Sequence, residues 1–374
     1  MKKIRVFIVD DSIIFRKLLI ENLSKYGELE VVGYAVDAFD AMRKIPELKP
    51  DVITMDIEMP KMTGIQFLRQ LIPKHPIPVI LVSSLNLNVF DALSAGAVDF
   101  VRKPDNVRIK TPTFIVNLVT KIKIASIAKV KVPTQPLTAA AAATRPTDAP
   151  GRRPSAPASS SAPPPGYSAL NALNARLTNN SIKLNSFVIA IGASTGGTEA
   201  TLAILKNLPK DTPGIVVTQH MPEGFTRMYA ERLNRICQME VREAKNGDLV
   251  ERGVVLIAPG DYQMRVVKTG MHYTVKCTKE QKVSGHMPSV DVLFSSMADN
   301  VMEGMGIILT GMGMDGAKGL LKMRQKGMHT LGQSKESCVV YGMPMEAYKL
   351  GAVVAEYPCE QMPGAIMKYL NAYK

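Results

Sequence analysis

The sequence predicts two doubly wound, parallel-sheet α/β domains joined by a low-complexity segment, and three observations predict it. At 374 residues the chain has room for about two to two and a half domains of roughly 150 residues each. Short apolar runs alternate with amphipathic stretches over residues 1–124, as parallel strands with crossover helices do, and the same alternation restarts at Phe187. Between them, residues 131–166 hold nine Pro, nine Ala and four Ser, with only Val132 and Leu137 as sizeable apolar side chains, too few to build a core. The expected organisation is a first domain over 1–124, a flexible linker over 125–184 and a second domain over 185–374.

In the first domain five strands are expected, at Ile4–Val9, Glu30–Ala35, Val52–Met55, Val79–Val82 and Val98–Val101, punctuated by Gly27, Gly33, Pro50 and Pro78. The helices between them carry apolar stripes such as Ile14, Leu18, Leu19, Leu23 and Ile65, Leu68, Leu71. The Asn-rich stretch from Tyr167 to Leu184 reads as a weak helix through Leu170, Leu173 and Leu177. In the second domain strands are expected at Phe187–Ile191, Gly214–Thr218, Val254–Ala258, Gly306–Leu309 and Val353–Ala355. Helices are expected at about 197–207, 224–235, 289–302, 317–326 and 345–350, the third of these burying Val290, Leu293, Phe294, Met297 and Val301. Met264–Val267 and Tyr273–Lys276 flank Thr269-Gly270 and read as an inserted hairpin.

Composition narrows the function classes. With 46% apolar and 21% charged residues the chain reads as soluble and globular. No apolar run approaches the ~18 residues needed to span a bilayer, and Met1 to Val9 lack the pattern of a signal peptide, so membrane insertion is not expected. The four cysteines, Cys237, Cys277, Cys338 and Cys359, show no C-x-x-C spacing, which fits neither a zinc ribbon nor a disulfide framework and points to a reducing, cytoplasmic compartment. The net charge of +13 divides into +4 over 1–124, +6 over 125–184 and +3 over 185–374, so almost half the excess sits in 60 residues. With no Trp and 6% aromatics, and no basic recognition helix, nucleic acid is not an expected partner.

Ligands of an open parallel sheet sit beyond the carboxyl ends of its strands. Asp10 and Asp11 end the first expected strand and Asp56 the third, a set of carboxylates suited to a hard divalent cation. Ser83, after the fourth strand, and Lys103, after the fifth, offer a hydroxyl and an ammonium to a phosphoryl group on a carboxylate. Any one of these acids could be a helix cap, but five groups on four strand ends favour a site. Through these residues, with Pro104, Met59-Pro60 and Gly64, residues 3–124 resemble the receiver domain of two-component response regulators. The resemblance implies phosphorylation of Asp56 by a histidine kinase, magnesium held by Asp10, Asp11 and Asp56, and a switch in which Phe100 moves when Ser83 engages phosphate. Thr63 stands before Gly64 where receivers usually carry Asp, and a local turn effect is expected.

The strand Phe187–Ile191 runs into Gly192-Ala193-Ser194-Thr195-Gly196-Gly197. Gly192 and Gly196 fit G-x-S-x-G, a sharp turn that exposes a serine at the head of a helix whose N–H groups could stabilise an oxyanion. A dinucleotide loop fits poorly, because Ser194 stands where G-x-G-x-x-G needs its second glycine, yet the motif alone does not decide between the two. His220 follows the strand Gly214–Thr218 and can share the crevice as base, with His286 in reserve. His75, His272 and His329 read as surface or packing residues. Asp315, after the strand Gly306–Leu309, suits the acid that orients the imidazole through Nδ1–H, whereas Asp248 and Asp261 are explained by turns. The order Ser, His, Asp differs from that of common α/β-hydrolases. Seventeen of the 22 Met follow residue 220; most read as core, although Met221, Met312 and Met314 adjoin the expected site and would suit a groove for a helical protein substrate.

Together with Gln219-His220-Met221, Ala258-Pro259-Gly260, Pro288-Ser289-Val290-Asp291, Gly311 to Gly316 and Val339 to Pro344, these motifs resemble the chemotaxis protein-glutamate methylesterase/protein-glutamine glutaminase (CheB) family. The resemblance implies hydrolysis of glutamyl methyl esters, and deamidation of glutamines, on methyl-accepting chemoreceptors, with a metal-free esterase site and a chemotaxis histidine kinase as phosphodonor. It also implies that Met312 helps form the oxyanion pocket, that Thr195 flanks the nucleophile, and that the unphosphorylated receiver packs over the Ser194 crevice. His286 and Cys338 stand where Arg or another residue, and Ser, are expected. The alternative is a response regulator whose second domain is a non-catalytic partner- or nucleotide-binding module.

Overall fold

A computed structural model describes residues 2–83, 88–104, 107–130, 132 and 186–373. Most of the expected linker, and the weak helix through Leu170, Leu173 and Leu177, lie outside the described residues.

The first sheet is parallel, in the order β2-β1-β3-β4-β5. Its strands are β1 (Ile4–Val9), β2 (Leu29–Ala35), β3 (Val52–Met55), β4 (Val79–Ser83) and β5 (Asp99–Arg102), within a residue of the sequence expectation. Five helices connect or follow them, α1 (Ile13–Leu23), α2 (Ala38–Leu48), α3 (Gly64–Leu71), α4 (Asn88–Ser94) and α5 (Val107–Ala125). Local chemistry sets their starts: Ser12 Oγ accepts the Phe15 N–H, Asp37 accepts that of Asp40, and Thr63 forms a reciprocal capping box with Gln66. Thr63 thus starts α3 as its N-cap. One apolar assignment is corrected: α1 buries Phe15, Leu19 and Leu23, four residues apart, and this rotation leaves Ile14 80% exposed.

From Val188 a second parallel sheet has seven strands in the order β14-β13-β12-β6-β7-β9-β8. They are β6 (Val188–Ala193), β7 (Gly214–Gln219), β8 (Glu240–Glu243), β9 (Val254–Ile257), β12 (Gly304–Ile308), β13 (His329–Gln333) and β14 (Ala355–Tyr357). The hairpin β10 (Gln263–Thr269) and β11 (His272–Thr278) stands apart as a two-stranded sheet. The helices are α6 (Gly197–Leu205), α7 (Phe225–Ile236), α8 (Val290–Asn300), α9 (Ala317–Gln325), α10 (Met343–Lys349) and α11 (Met362–Ala372). α8 buries the five apolar residues expected of it, Val301 at its C-cap included.

Three elements escaped the sequence reading. β8 is an edge strand reading Glu-Val-Arg-Glu, with no apolar run to announce it. β13 contains Thr330, Gly332 and Gln333, all buried, so a polar sequence lies inside the sheet, and His329 opens this strand rather than merely following a helix. α11 starts behind Pro358 and packs Met362, Ile366, Met367 and Leu370 at helical spacing.

The two sheets share one continuous apolar cluster. Its seam is aromatic: Phe90 of α4 stacks on Tyr229 of α7 at 5.6 Å between ring centroids, and Phe100 of β5 lies 4.6 Å from Phe225. Arg232, only 7% exposed, seals the edge by donating to Glu199 at 3.1 Å and to Ser94 Oγ at 2.5 Å.

Candidate active site

In the second sheet, β6 pairs with β7 on one side and with β12 on the other, so the chain reverses direction across the sheet at β6. That switch opens a crevice beyond the strand ends. Ala193 pairs with Gln219 in the β6–β7 register, which puts Ser194 and His220 at adjacent strand ends. The turn is tight. The Ser194 N–H donates to Thr310 O at 3.0 Å, the His220 N–H donates to Ala193 O at 3.0 Å, and Gln219 Nε2 donates to Ser194 O at 2.8 Å. A Cβ on Gly311 would stand 2.6 Å from Ser194 Cβ, so only glycine lets the β12 loop reach the serine. Gly196, with φ of +77°, supplies the left-handed turn that opens α6.

His220 and Asp315 meet at 2.8 Å between Nε2 and Oδ2. Sequence reasoning expected the carboxylate on Nδ1; instead Nδ1 is buried without a hydrogen-bond partner among the described residues. Asp315 meets the ring from its anchor at the N-terminus of α8. It accepts hydrogen bonds from Ser289 Oγ at 2.7 Å, Val290 N at 2.7 Å and Asp291 N at 3.1 Å. Burial works against its ionisation, but these donors and His220 outweigh it and hold the carboxyl below its ordinary value. Ser289, a buried residue at the N-cap of α8, was not singled out as a site residue; a serine before an apolar helix was its available signal.

His286 stacks face to face on His220, with ring centroids 3.7 Å apart and planes within 7°. Burial, and then the neighbouring His220, push its imidazole down to about 4. Thr195 is 3% exposed, and its hydroxyl donates to Asp99 of β5 at 2.5 Å. Asp99 also pairs with Lys121 of α5 at 2.7 Å. Neither Asp99 nor Lys121 carried a sequence signal for this contact. Met312 and Met314 are 43% and 57% exposed beside Gly311 and Asp315, whereas Met221 is buried. Cys338 is buried, with Sγ against Gln333 O at 3.7 Å. Cys338 and Cys359 are buried, whereas Cys237 and Cys277 are half-buried.

On the first sheet, Asp10, Asp11 and Asp56 bring carboxylate oxygens within 4.8 Å of one another. Lys103 Nζ lies 3.0 Å from Asp10 and 2.5 Å from Asp56, and Ser83 Oγ is buried without a partner among the described residues. Burial, partly offset by Lys103, raises the Asp10 carboxyl above its ordinary value, with the Asp56 charge adding to the rise. An all-carboxylate donor set with one exposed member and an unsatisfied hydroxyl alongside fits a hydrated divalent cation and a phosphoryl group. Phe100 is buried in the seam between the domains.

Residues 6–111 match the response regulator receiver domain and residues 189–366 match the CheB methylesterase domain. The protein-glutamate methylesterase/protein-glutamine glutaminase 2 of Syntrophomonas wolfei subsp. wolfei is 49% identical over 99% of both chains. The enzyme of the same name, without the numeral, from Sulfurimonas denitrificans is 44% identical, again over 99% of each. The crystal structure of the Thermotoga maritima CheB methylesterase catalytic domain, 36% identical, covers 49% of this chain and 97% of that one with a TM-score of 0.48. With near-complete coverage at this identity, the chain belongs to the protein-glutamate methylesterase/protein-glutamine glutaminase family, with a receiver domain ahead of a CheB methylesterase domain.

Proposed function

We propose that the chain is a phosphorylation-activated serine esterase that hydrolyses glutamate γ-methyl esters, and deamidates glutamines, on methyl-accepting chemoreceptors. The observation that carries this reading is the register of Ala193 with Gln219, which sets Ser194 beside His220, together with the 2.8 Å contact of His220 to Asp315. Ser194 Oγ forms a bond to the ester carbonyl carbon while His220 takes the hydroxyl proton on Nδ1. Asp315 fixes the tautomer with the proton on Nε2 and stabilises the imidazolium. The proton then leaves with methanol, or with ammonia from a glutamine. Water, deprotonated by His220, cleaves the acyl-serine to release glutamate. Because the Ser194 N–H is already used by Thr310, the oxyanion takes its donors from the backbone beyond it, at Thr195 and Met312. The esterase site needs no metal for these steps.

The receiver, over 1–124, is the regulatory unit, joined by the linker over 125–184 to the catalytic unit over 185–374. Asp56 is the phosphoryl acceptor, and a chemotaxis histidine kinase is the donor. Asp10, Asp11 and Asp56 would hold Mg2+, which when bound supplies neutralising charge; Lys103 and Ser83 would engage the phosphoryl oxygens. Engagement of Ser83 would draw Phe100 from its place against Phe225 and weaken the seam that keeps the receiver over the catalytic crevice. No helix among the described residues is long and apolar enough to cross a membrane, and the reading is of a cytoplasmic enzyme acting on the cytoplasmic part of its receptors. A non-catalytic second domain is the reading that the relatives do not favour.

The test is methanol release from methylated receptor membranes. Wild type should release it, and Ser194→Ala should not; equal release by both would overturn the nucleophile.

A further inference from the structure

The His220 imidazole is held at two places. Asp315 holds one edge through Nε2, and the ring of His286 covers one face at 3.7 Å between centroids. One short segment supplies the His286 ring and also anchors Asp315. Ser289 and Val290 give Asp315 its donors, and His286 lies three residues upstream of Ser289. Gln263 ties the two ends of that segment: its Nε2 donates to His286 O at 3.1 Å and its Oε1 accepts the Ser289 N–H at 2.8 Å. A bridge in which Val283 and His286 exchange backbone hydrogen bonds of 3.0 and 2.9 Å fixes the other side of the loop. The backbone behind the His286 ring is therefore pinned, which a solvent-facing loop histidine would not require.

We infer that His286 is a positioning residue for the esterase, a flat, uncharged ring that fixes the plane of the His220 imidazole so that Nδ1 is presented to Ser194. This rests on the reading of Ser194, His220 and Asp315 as nucleophile, base and acid. An edge contact alone leaves an imidazole free to rock about the Nε2 hydrogen bond, and the remaining freedom is removed by a surface on its face. A proton-transfer geometry is sensitive to such rocking. Charge matters as well, because His220 becomes cationic while it holds the serine proton. The charged or titratable groups facing His286 are His220, Asp315, Lys121 and Lys282; burial and the positive neighbours keep His286 neutral, so it does not repel that cation.

The full-length chain is assayed for methanol release from methylated receptor membranes, basally and with a small-molecule phosphodonor and Mg2+. The variants are His286→Ala, His286→Leu and His286→Phe, with Ser194→Ala as the control. His286→Ala and His286→Leu should lower kcat by about ten- to a hundredfold with KM nearly unchanged, whereas His286→Phe, which restores a flat neutral ring, should recover most of the loss. Wild-type kcat in His286→Ala would overturn the inference, as would a loss expressed in KM alone. His286→Phe as inactive as His286→Ala, with both melting like wild type, would overturn it in favour of an acid–base role for His286. If His286→Ala fails to fold, the comparison of His286→Phe with His286→Leu decides between flat-ring positioning and mere filling of space. Full activity of Ser194→Ala would instead refute the underlying triad, an outcome distinct from all of these.

Discussion

Asp99 of the receiver accepts a hydrogen bond from the hydroxyl of Thr195 at 2.5 Å, and Thr195 is the residue after Ser194. The contact joins groups 96 residues apart and is buried on both sides. Asp99 is in turn paired with Lys121 at 2.7 Å and is the chain neighbour of Phe100, whose ring packs on Phe225. The receiver therefore grips the turn that carries Ser194, and does so from the strand that bears Phe100.

Loss of this grip should raise basal activity. A hydrogen bond to a charged group contributes about 1.5–3 kcal/mol, so Asp99→Ala should shift the docked-to-open balance by about ten- to a hundredfold. The basal rate of methanol release should rise severalfold without a phosphodonor. A basal rate equal to wild type would show that the seam, and not this bond, holds the domains together.

Asp56→Ala should stay at the basal rate when phosphodonor and Mg2+ are present, because the variant has no acceptor beside Lys103. Lys103→Ala should accept phosphate yet activate weakly. Phosphate incorporation measured alongside methanol release separates the two defects, and activation of Asp56→Ala would refute the acceptor assignment.

Ser194→Ala, His220→Ala and the double variant should show nearly the same residual rate, since nucleophile and base act as one unit and their effects do not add. Rates multiplying in the double variant would count against that unit.

Asp315 links the site to stability. Its folded-state ionisation lies below the ordinary carboxylate value, so the stabilisation it gives is present above about pH 4 and is lost as pH falls through the folded value. Asp315→Asn should therefore melt below wild type at pH 7, with the gap narrowing as pH drops below about 4. Melting curves at several pH values check this, and a gap that widens in acid would contradict it. The same variant should lose most esterase activity at neutral pH, as Nε2 would no longer face an anion.

Gly311→Ala tests how tightly the crevice is built. Its Cβ would meet Ser194 Cβ at 2.6 Å and Met343 Sδ at 2.4 Å. Methionine can yield but the Ser194 turn cannot, so kcat should fall at least about tenfold while much of the fold persists. Unchanged kcat would mean that the turn is more pliant than its hydrogen bonds imply.

Local residue pattern accounts for the periodic elements and for what ends them. β1, β3 and β7 are short, mostly apolar runs, and Asp10, Asp56 and His220 follow them immediately, so both the strands and the residues at their carboxyl ends could be read from local pattern. G-x-S-x-G announced the sharp turn at Ser194 for the same reason, because glycine at 196 answers a backbone need created by its own neighbours. Local pattern failed where neighbours in space overrule neighbours in the chain. The polar β13 is a strand because β12 and β14 flank it, and Ile14 faces solvent because α1 rotates to bury Phe15. Long-range packing alone makes Asp315 hold Nε2 and not Nδ1, sets His286 over the face of His220, and lets Asp99 grip Thr195. Each of those contacts joins residues that lie dozens of positions apart in the chain. Their geometry is fixed by where whole sheets and helices come to rest, a packing outcome for which no stretch of a few residues carries a signal.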